Sequence, residues 1–216
     1  MKRLFGLMEV LFNIIYLAAA SIIGFILIFS ANGNSPRMLA GIMALVLAGG
    51  DAFHLIPRIL VIITGQQEQL RGLLGRGKQI TSITMTLFYL LLWHVGVNFI
   101  SNKFINSCSI LIYTLAIIRI FLCLLPQNRW TEYNPDNNWA IWRNIPFLLQ
   151  GMLVAYLFFL LKNELEALTF MWLAIVLSFA FYLPVVLWVD ENPKIGMLML
   201  PKTLTYLWML FMCLSL

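Results

Sequence analysis

The 216 residues of this chain are 62% hydrophobic and only 11% charged, and the formal net charge is +5 at pH 7. A water-soluble domain usually carries about 25% charged residues, so this composition excludes an ordinary soluble globular protein. The positive charge does not indicate nucleic acid as a partner, because the basic residues are scattered over short loops without the basic, aromatic-rich surface of a nucleic-acid site.

A bundle of transmembrane helices is the architecture that the apolar stretches predict. A helix needs about 20 residues to cross the hydrocarbon core of a bilayer, and it satisfies its backbone amides within one segment. The strands of a membrane barrel are short and alternate in hydrophobicity, whereas these runs are continuous. We predict an all-α, single-domain bundle over 1–216 with seven spans, near 4–30, 38–64, 80–101, 107–125, 145–162, 167–189 and 196–216.

The first stretch is expected to remain in the membrane as a span. Its apolar run is longer than the core of about 7–15 residues that a signal peptide contains. The run Ala18-Ala19-Ala20 imitates a cleavage site, but apolar sequence continues beyond it to Phe29. We therefore count this stretch among the seven spans.

Basic residues between the spans predict the orientation, because cytoplasmic loops carry an excess of Lys and Arg. With the N-terminus in the cytoplasm, the cytoplasmic segments hold eight such residues: Lys2, Arg3, Arg71, Arg76, Lys78, Arg129, Arg143 and Lys194. The external segments hold three: Arg37, Lys103 and Lys162. We expect a cytoplasmic N-terminus, an external C-terminus, and long cytoplasmic loops at 66–79 and 127–144, the second with Trp130, Trp139 and Trp142 at the depth of the lipid headgroups.

Ionisable residues inside the spans are the best functional candidates, because they are costly in a bilayer and usually serve a purpose there. They are Glu9, Asp51, His54, Arg58, His94, Arg119 and Lys202. A rise of about 1.5 Å per residue places Asp51 near the middle of its span, His94 slightly outward of the middle, and the others toward the cytoplasm. They converge only if their helices are neighbours, which the sequence does not show.

The second span carries the densest group of these residues. Asp51, His54 and Arg58 are spaced i, i+3 and i+7, which places them on one face of a helix. Pro57 removes a backbone donor there, and the glycine pair before Asp51 allows a neighbouring helix to approach closely. We expect Asp51 to face a polar cavity together with His54 and Arg58. The alternative is a purely structural ion-pair network in which acidic side chains, Glu9 among them, neutralise the arginines.

The segment from Gly50 to Arg58, Gly-Asp-Ala-Phe-His-Leu-Ile-Pro-Arg, resembles the signature of the YhhN family of membrane proteins. That family includes lysoplasmalogenases, which hydrolyse the vinyl ether bond of lysoplasmalogens. An apolar helix before the motif, and a glycine-containing loop and a helix after it, fit the family's arrangement. Family members typically have eight helices, so this chain would lack the first. The resemblance implies an enzyme of lipid metabolism, and we expect it in a bacterial cell membrane.

The chain departs from the family pattern on a late helix. The family carries a second acidic residue there, commonly within a Ser-Asp pair, but the comparable stretch 178–188 contains no carboxylate. Asp190 and Glu191 come later, at the predicted edge of the membrane. The family's Lys-Pro near an early helix is also absent. These departures put the second acidic group of the family's site in doubt for this chain.

The resemblance implies a mechanism that begins with protonation of the vinyl ether carbon by an acid. Asp51 would be that acid, since an apolar setting keeps a carboxyl group protonated near neutral pH. Water would then attack the oxocarbenium ion, with His54, His94 and Glu9 as candidates for the missing second group. The lipid phosphate would be bound by the basic residues Arg58, Arg119 and Lys202. No cofactor is implied.

Three other interpretations remain beside the hydrolase. A non-enzymatic transporter or receptor for an anionic amphiphile would use the same basic residues, although no inverted repeat supports a transporter. A metal site built from Asp51, His54 and His94 barely meets the three-ligand set of catalytic zinc, and we predict no metal. Lys202 is expected to extend its ammonium group toward the membrane surface, since its neighbours do not match those of a retinal-binding lysine.

The remaining expectations concern the cysteines and the partners. Cys108, Cys123 and Cys213 show no metal or redox spacing, so we expect free thiols packed among the helices. The predicted partner is a lipid or another anionic amphiphile, and the sequence gives no indication of the oligomeric state.

Overall fold

The computed structural model describes residues 2–100, 103–132 and 137–216, with side chains except those of residues 2–5, 103, 104 and 106. Within these ranges the α-helices are α1 (Lys2–Phe29), α2 (Ser35–Thr64), α3 (Gln67–Val97), α4 (Lys103–Leu124), α5 (Asn137–Leu161), α6 (Met171–Trp188) and α7 (Met199–Cys213). Short 3-10 helices lie at Pro126–Asn128, Glu166–Leu168 and Pro193–Leu198. The described ranges contain no β-strand, which confirms the predicted all-α class.

The outer surface of the bundle is apolar. Seven helical segments of the described chain are long and apolar enough to cross a membrane. Large side chains such as Phe29 (81% exposed), Ile110 (72%) and Ile117 (68%) point outward. A soluble monomer rarely exposes such an extensive apolar surface, whereas in a bilayer it faces lipid tails. The chain is an integral multi-pass membrane protein with seven spans.

The predicted boundaries were wrong at both long cytoplasmic loops. α3 begins at Gln67, so nearly all of the predicted loop 66–79 is helical. α5 begins at Asn137, so the last part of the predicted loop 127–144 is helical. The segment 67–79 contains three glycines, but most of it is Gln, Leu and Arg, which are good helix formers. The low hydropathy of this segment indicates that it lies outside the hydrocarbon core. It does not indicate whether the backbone is helical or a loop.

α2 and α3 approach each other so closely that glycine is required on both sides of their contact. A Cβ atom on Gly50 would lie 1.9 Å from the Thr84 hydroxyl oxygen, and one on Gly77 would lie 2.2 Å from the Phe53 carbonyl oxygen. Thr81 donates a hydrogen bond to the Gly50 carbonyl across the contact, at 2.8 Å. The predicted close approach is confirmed for Gly50, whereas its neighbour Gly49 faces open space.

α3 supplies the centre of the packed interior and contacts α2, α4 and α5. Its side chains Phe88, Tyr89 and Trp93 are almost completely buried. The ring of Tyr89 lies edge-on to that of Phe147 from α5, with centroids 5.2 Å apart. The aromatic centre holds α3 in place, and the side chains one to three turns earlier on this helix line the site described below.

The orientation of the chain in the membrane stays a prediction. Three of the basic residues on which it rests, Lys2, Arg3 and Lys103, have side chains outside the described part of the structure. We expect a membrane-impermeant thiol reagent to label a cysteine appended after Leu216 on intact cells. A cysteine replacing Gly72 should become labelled only after the membrane is permeabilised. The predicted free thiols are confirmed as buried, so the background is low. Labelling of position 72 alone on intact cells would reverse the orientation.

Candidate functional site

A partly enclosed cavity of about 180 Å³ lies between α2, α3, α4, α5, α6 and α7. It is found where α2, α4 and α6 approach their ends and where α3, α5 and α7 begin. In the predicted orientation, this is the cytoplasmic half of the bundle. Its apolar wall is formed by Met85, Phe147 and Met199, and the aromatic side chains Trp130 and Tyr182 complete it.

Four basic side chains reach this cavity from four different helices, namely Lys78, Arg119, Arg143 and Lys202. Their burial is graded: Lys78 is exposed at the mouth, Arg143 is half-buried, Lys202 is 9% exposed and Arg119 is 2% exposed. No aspartate or glutamate lines the cavity among the side chains that the structure describes. Buried charges of one sign are costly unless a counter-charge neutralises them.

Arg119 is the most deeply placed of the four cations. Its guanidinium group stacks on the ring of Phe147, with the Cζ atom 3.2 Å from the ring centroid. The Nε and Nη1 atoms are buried and have no hydrogen-bond partner in the described part of the chain. A buried polar group without a partner costs about 1–3 kcal/mol, and more when it is charged. Arg119 thus lines the cavity while part of its hydrogen-bonding capacity is unused by the described residues.

Lys202 does not extend toward the membrane surface, so that prediction was wrong. The residue lies in the first turn of α7, as expected for a position near a helix end. Its ammonium nitrogen is 4.3 Å from the ring centroid of Tyr182 and 5.4 Å from that of Tyr206. Contact with the faces of aromatic rings stabilises a desolvated cation, which allows the ammonium group to remain beside the cavity.

Arg143 and Lys78 are cavity residues that sequence reasoning missed, because both were assigned to loops. Arg143 donates from Nη1 to the Asn128 side-chain oxygen at 2.9 Å, and its guanidinium carbon lies 4.2 Å from the ring centroid of Trp130. Trp130 is half-buried, and its indole N–H donates to the Cys123 carbonyl at 3.0 Å. One feature of the sequence could have identified Lys78 as a helical cavity residue. It precedes Thr81 and Met85 by three and seven positions, which places all three on one face of a helix.

The three motif residues of α2 do not share one environment. Only His54 lines the cavity. Asp51 instead accepts a hydrogen bond from the Tyr16 hydroxyl at 2.6 Å. Arg58 pairs with Glu9, with 2.9 Å between Nε and Oε1. Both of these partners belong to α1, which packs against α2. Asp51 and Arg58 therefore contact α1, whereas His54 faces the cavity.

The predicted layer of three cations is thus only partly assembled. Arg119 and Lys202 meet at one cavity, as expected, whereas Arg58 is 47% exposed in its side chain and is neutralised by Glu9. The predicted neutralisation of an arginine by Glu9 is thus seen for Arg58. For Arg119 the structure gives no carboxylate partner among the described residues.

His94 lies apart from the cavity. Its Nε2 atom is hydrogen-bonded to the Tyr113 hydroxyl of α4, and neither side chain lines the cavity. The described residues contain no group of three His, Cys, Asp or Glu side chains arranged to hold a metal ion. The alternative metal site built from Asp51, His54 and His94 is therefore not assembled.

Comparisons with known proteins found no matching family model, no matching curated protein and no matching solved structure. The resemblance of residues 50–58 to the YhhN family stays a prediction that rests on that segment. The function has to be argued from the geometry and the charges of the cavity.

Proposed function

We propose that this protein binds an anionic amphiphile, as a receptor or transporter, in what we take to be a bacterial cell membrane. The observation that carries the proposal is the gathering of four basic side chains at one cavity that no described carboxylate lines. A bound anion would relieve the mutual repulsion of these groups. It would also supply a counter-charge for Arg119, which has no carboxylate partner among the described residues.

The size of the cavity supports a headgroup rather than a whole lipid as its occupant. Sites for drug-sized ligands usually measure about 300–1,000 Å³, whereas this cavity measures about 180 Å³. A small anionic group with a few waters fills it, and an attached hydrocarbon chain would extend along the apolar wall toward lipid.

The replacement of Arg119 by glutamine tests the proposal. Hydrogen bonds to charged groups contribute about 1.5–3 kcal/mol, so we expect the affinity for an anionic amphiphile to fall roughly 10- to 100-fold. Binding of a neutral amphiphile of the same chain length should change little. Both affinities are to be measured by calorimetry on the purified protein.

Arg58→Gln is the matched control, because Arg58 is a membrane-embedded arginine that is neutralised outside the cavity. It should bind the anionic amphiphile nearly as well as the unmodified protein does. An equal loss of both ligands in Arg119→Gln would mean that Arg119 only packs the helices, and the proposal would fail.

Hydrolysis of a vinyl ether lysolipid is a second candidate, and the position of Asp51 favours it. Asp51 interacts electrostatically with Lys202, whose side chain lines the cavity. A carboxyl group at this position would lie close to a headgroup bound there. Asp51 would protonate the vinyl ether carbon, and water would add to the oxocarbenium ion and return a proton to Asp51. The resulting hemiacetal would break down to a long-chain aldehyde and a glycerophosphodiester that carries no hydrocarbon chain. The candidate ranks second, because no described carboxylate lines the cavity to assist the water.

A further inference from the structure

Each cation at the cavity can be compared with the carboxylates near it in the described part of the chain. Lys202 interacts electrostatically with Asp51, and Lys78 at the mouth interacts with Asp190. Neither carboxylate lines the cavity. Asp51 offsets part of the charge of Lys202, whereas Lys78 is repelled by Arg58 and Arg143 more strongly than it is attracted by Asp190. Arg119 and Arg143 form no ion pair with a described carboxylate. At least the two positive charges of Arg119 and Arg143 are therefore uncompensated.

The available hydrogen-bond donors are mostly those of the cations. The Thr81 and Ser82 hydroxyls line the cavity, but each already donates to a backbone carbonyl, that of Gly50 and that of Lys78 respectively. The cations Arg119, Arg143 and Lys202 line the cavity from α4, α5 and α7. An occupant must therefore accept several charged donors arriving from different helices at once.

A phosphate monoester meets both requirements better than other common anionic groups. It carries a charge of about −1.5 to −2 at pH 7 and three strong acceptor oxygens. A carboxylate or a phosphodiester carries a single negative charge, so one of the two excess cations would stay uncompensated. Guanidinium groups also form paired hydrogen bonds with phosphate oxygens.

We infer that the cavity takes the dianionic phosphate group of a phosphomonoester, held between Arg119, Arg143 and Lys202. This inference rests on the proposed anion-binding function and specifies its ligand. The phosphate can belong to a single-chain lipid phosphate or to a small soluble phosphate ester. Both present the same group to the three cations, and only the attached chain distinguishes them.

The test uses purified full-length protein in a neutral detergent and four ligands of one chain length, compared by native mass spectrometry. The ligands are hexadecyl phosphate, hexadecyl methyl phosphate, palmitate and neutral hexadecyl glycerol. We expect hexadecyl phosphate to bind at least ~10-fold more tightly than its methyl ester, because the monoester has a second negative charge and a third acceptor oxygen for the cations. Lys202→Gln should remove most of this preference, whereas Arg58→Gln should keep it.

Glycerol 3-phosphate, added as a competitor, separates the two sources of the phosphate. Displacement at comparable affinity assigns the site to a soluble phosphate ester, and failure to displace assigns it to a lipid phosphate. Equal binding of all three anionic ligands, each above the neutral one, would overturn the inference and leave the proposed function standing. Equal binding of anionic and neutral ligands would overturn both.

Discussion

Replacement of Gly77 by leucine is expected to prevent α2 and α3 from assembling. Even a Cβ atom at this position would lie 2.2 Å from the Phe53 carbonyl oxygen and 2.9 Å from the His54 Cα atom. Backbone atoms cannot move aside as the end of a flexible side chain can, so the two helices would have to separate. Overpacking of an interior costs about 1–3 kcal/mol and occasionally more. We expect Gly77→Leu to yield little folded protein in size-exclusion chromatography after extraction.

The milder Gly77→Ala variant makes the same effect measurable. A cost of about 3 kcal/mol corresponds to a fall in Tm of roughly 6–12 °C for a chain of this size. Gly72→Ala is the control, because this glycine lies on the same helix with nothing within 4 Å of its added Cβ. Alanine favours a helix over glycine by about 1 kcal/mol, so the Tm of the control should be unchanged or slightly higher. Equal losses in the two variants would contradict the described packing of α3.

The contact at Gly77 also sets the geometry of the cavity. Lys78 follows it directly on α3, and the facing residue on α2 is His54. Both side chains line the cavity. Folded Gly77→Ala protein should therefore bind the anionic amphiphile more weakly than Gly72→Ala protein. Glycines in this packing are thus linked to function as well as to stability.

The seven spans were predictable from the sequence because every segment in hydrocarbon must be apolar and must bond its own backbone. The same rule does not fix where a helix ends beyond the bilayer. α3 continues back to Gln67 through polar residues that are good helix formers, and hydropathy does not detect such an extension. The error had consequences for the site, because Lys78 was assigned to a loop and not to a cavity wall.

The site was predictable only in part, for a related reason. Arg119 and Lys202 stood out because a charge inside an apolar span requires a purpose. Periodicity also identified one face of α2, but it does not reveal which helix packs against that face. α1 occupies part of it and pairs its own Tyr16 with Asp51. Assigning partners to a helix face requires the tertiary arrangement.

Asp51→Asn is expected to separate the two proposed functions. The Tyr16 hydroxyl can donate to the amide oxygen of asparagine as it does to the carboxylate, so the local geometry should be retained. If the protein is a vinyl ether hydrolase, the loss of its general acid should reduce the rate at least ~100-fold. The measurement is aldehyde release from a lysoplasmalogen, with an ordinary lysophospholipid as the unreactive reference.

Anion binding should respond in the opposite direction. Removing the Asp51 carboxylate leaves Lys202 without the counter-charge behind it, so the cavity becomes more positive. We expect the affinity of Asp51→Asn for an anionic amphiphile to be retained or raised a few-fold, as roughly 1 kcal/mol or less of added attraction would give. Tyr16→Phe keeps the carboxylate and removes only its hydrogen bond, so it should leave anion binding unchanged. A large loss of anion affinity in Asp51→Asn would show that Asp51 holds the cavity together, and the charge balance described here would be wrong.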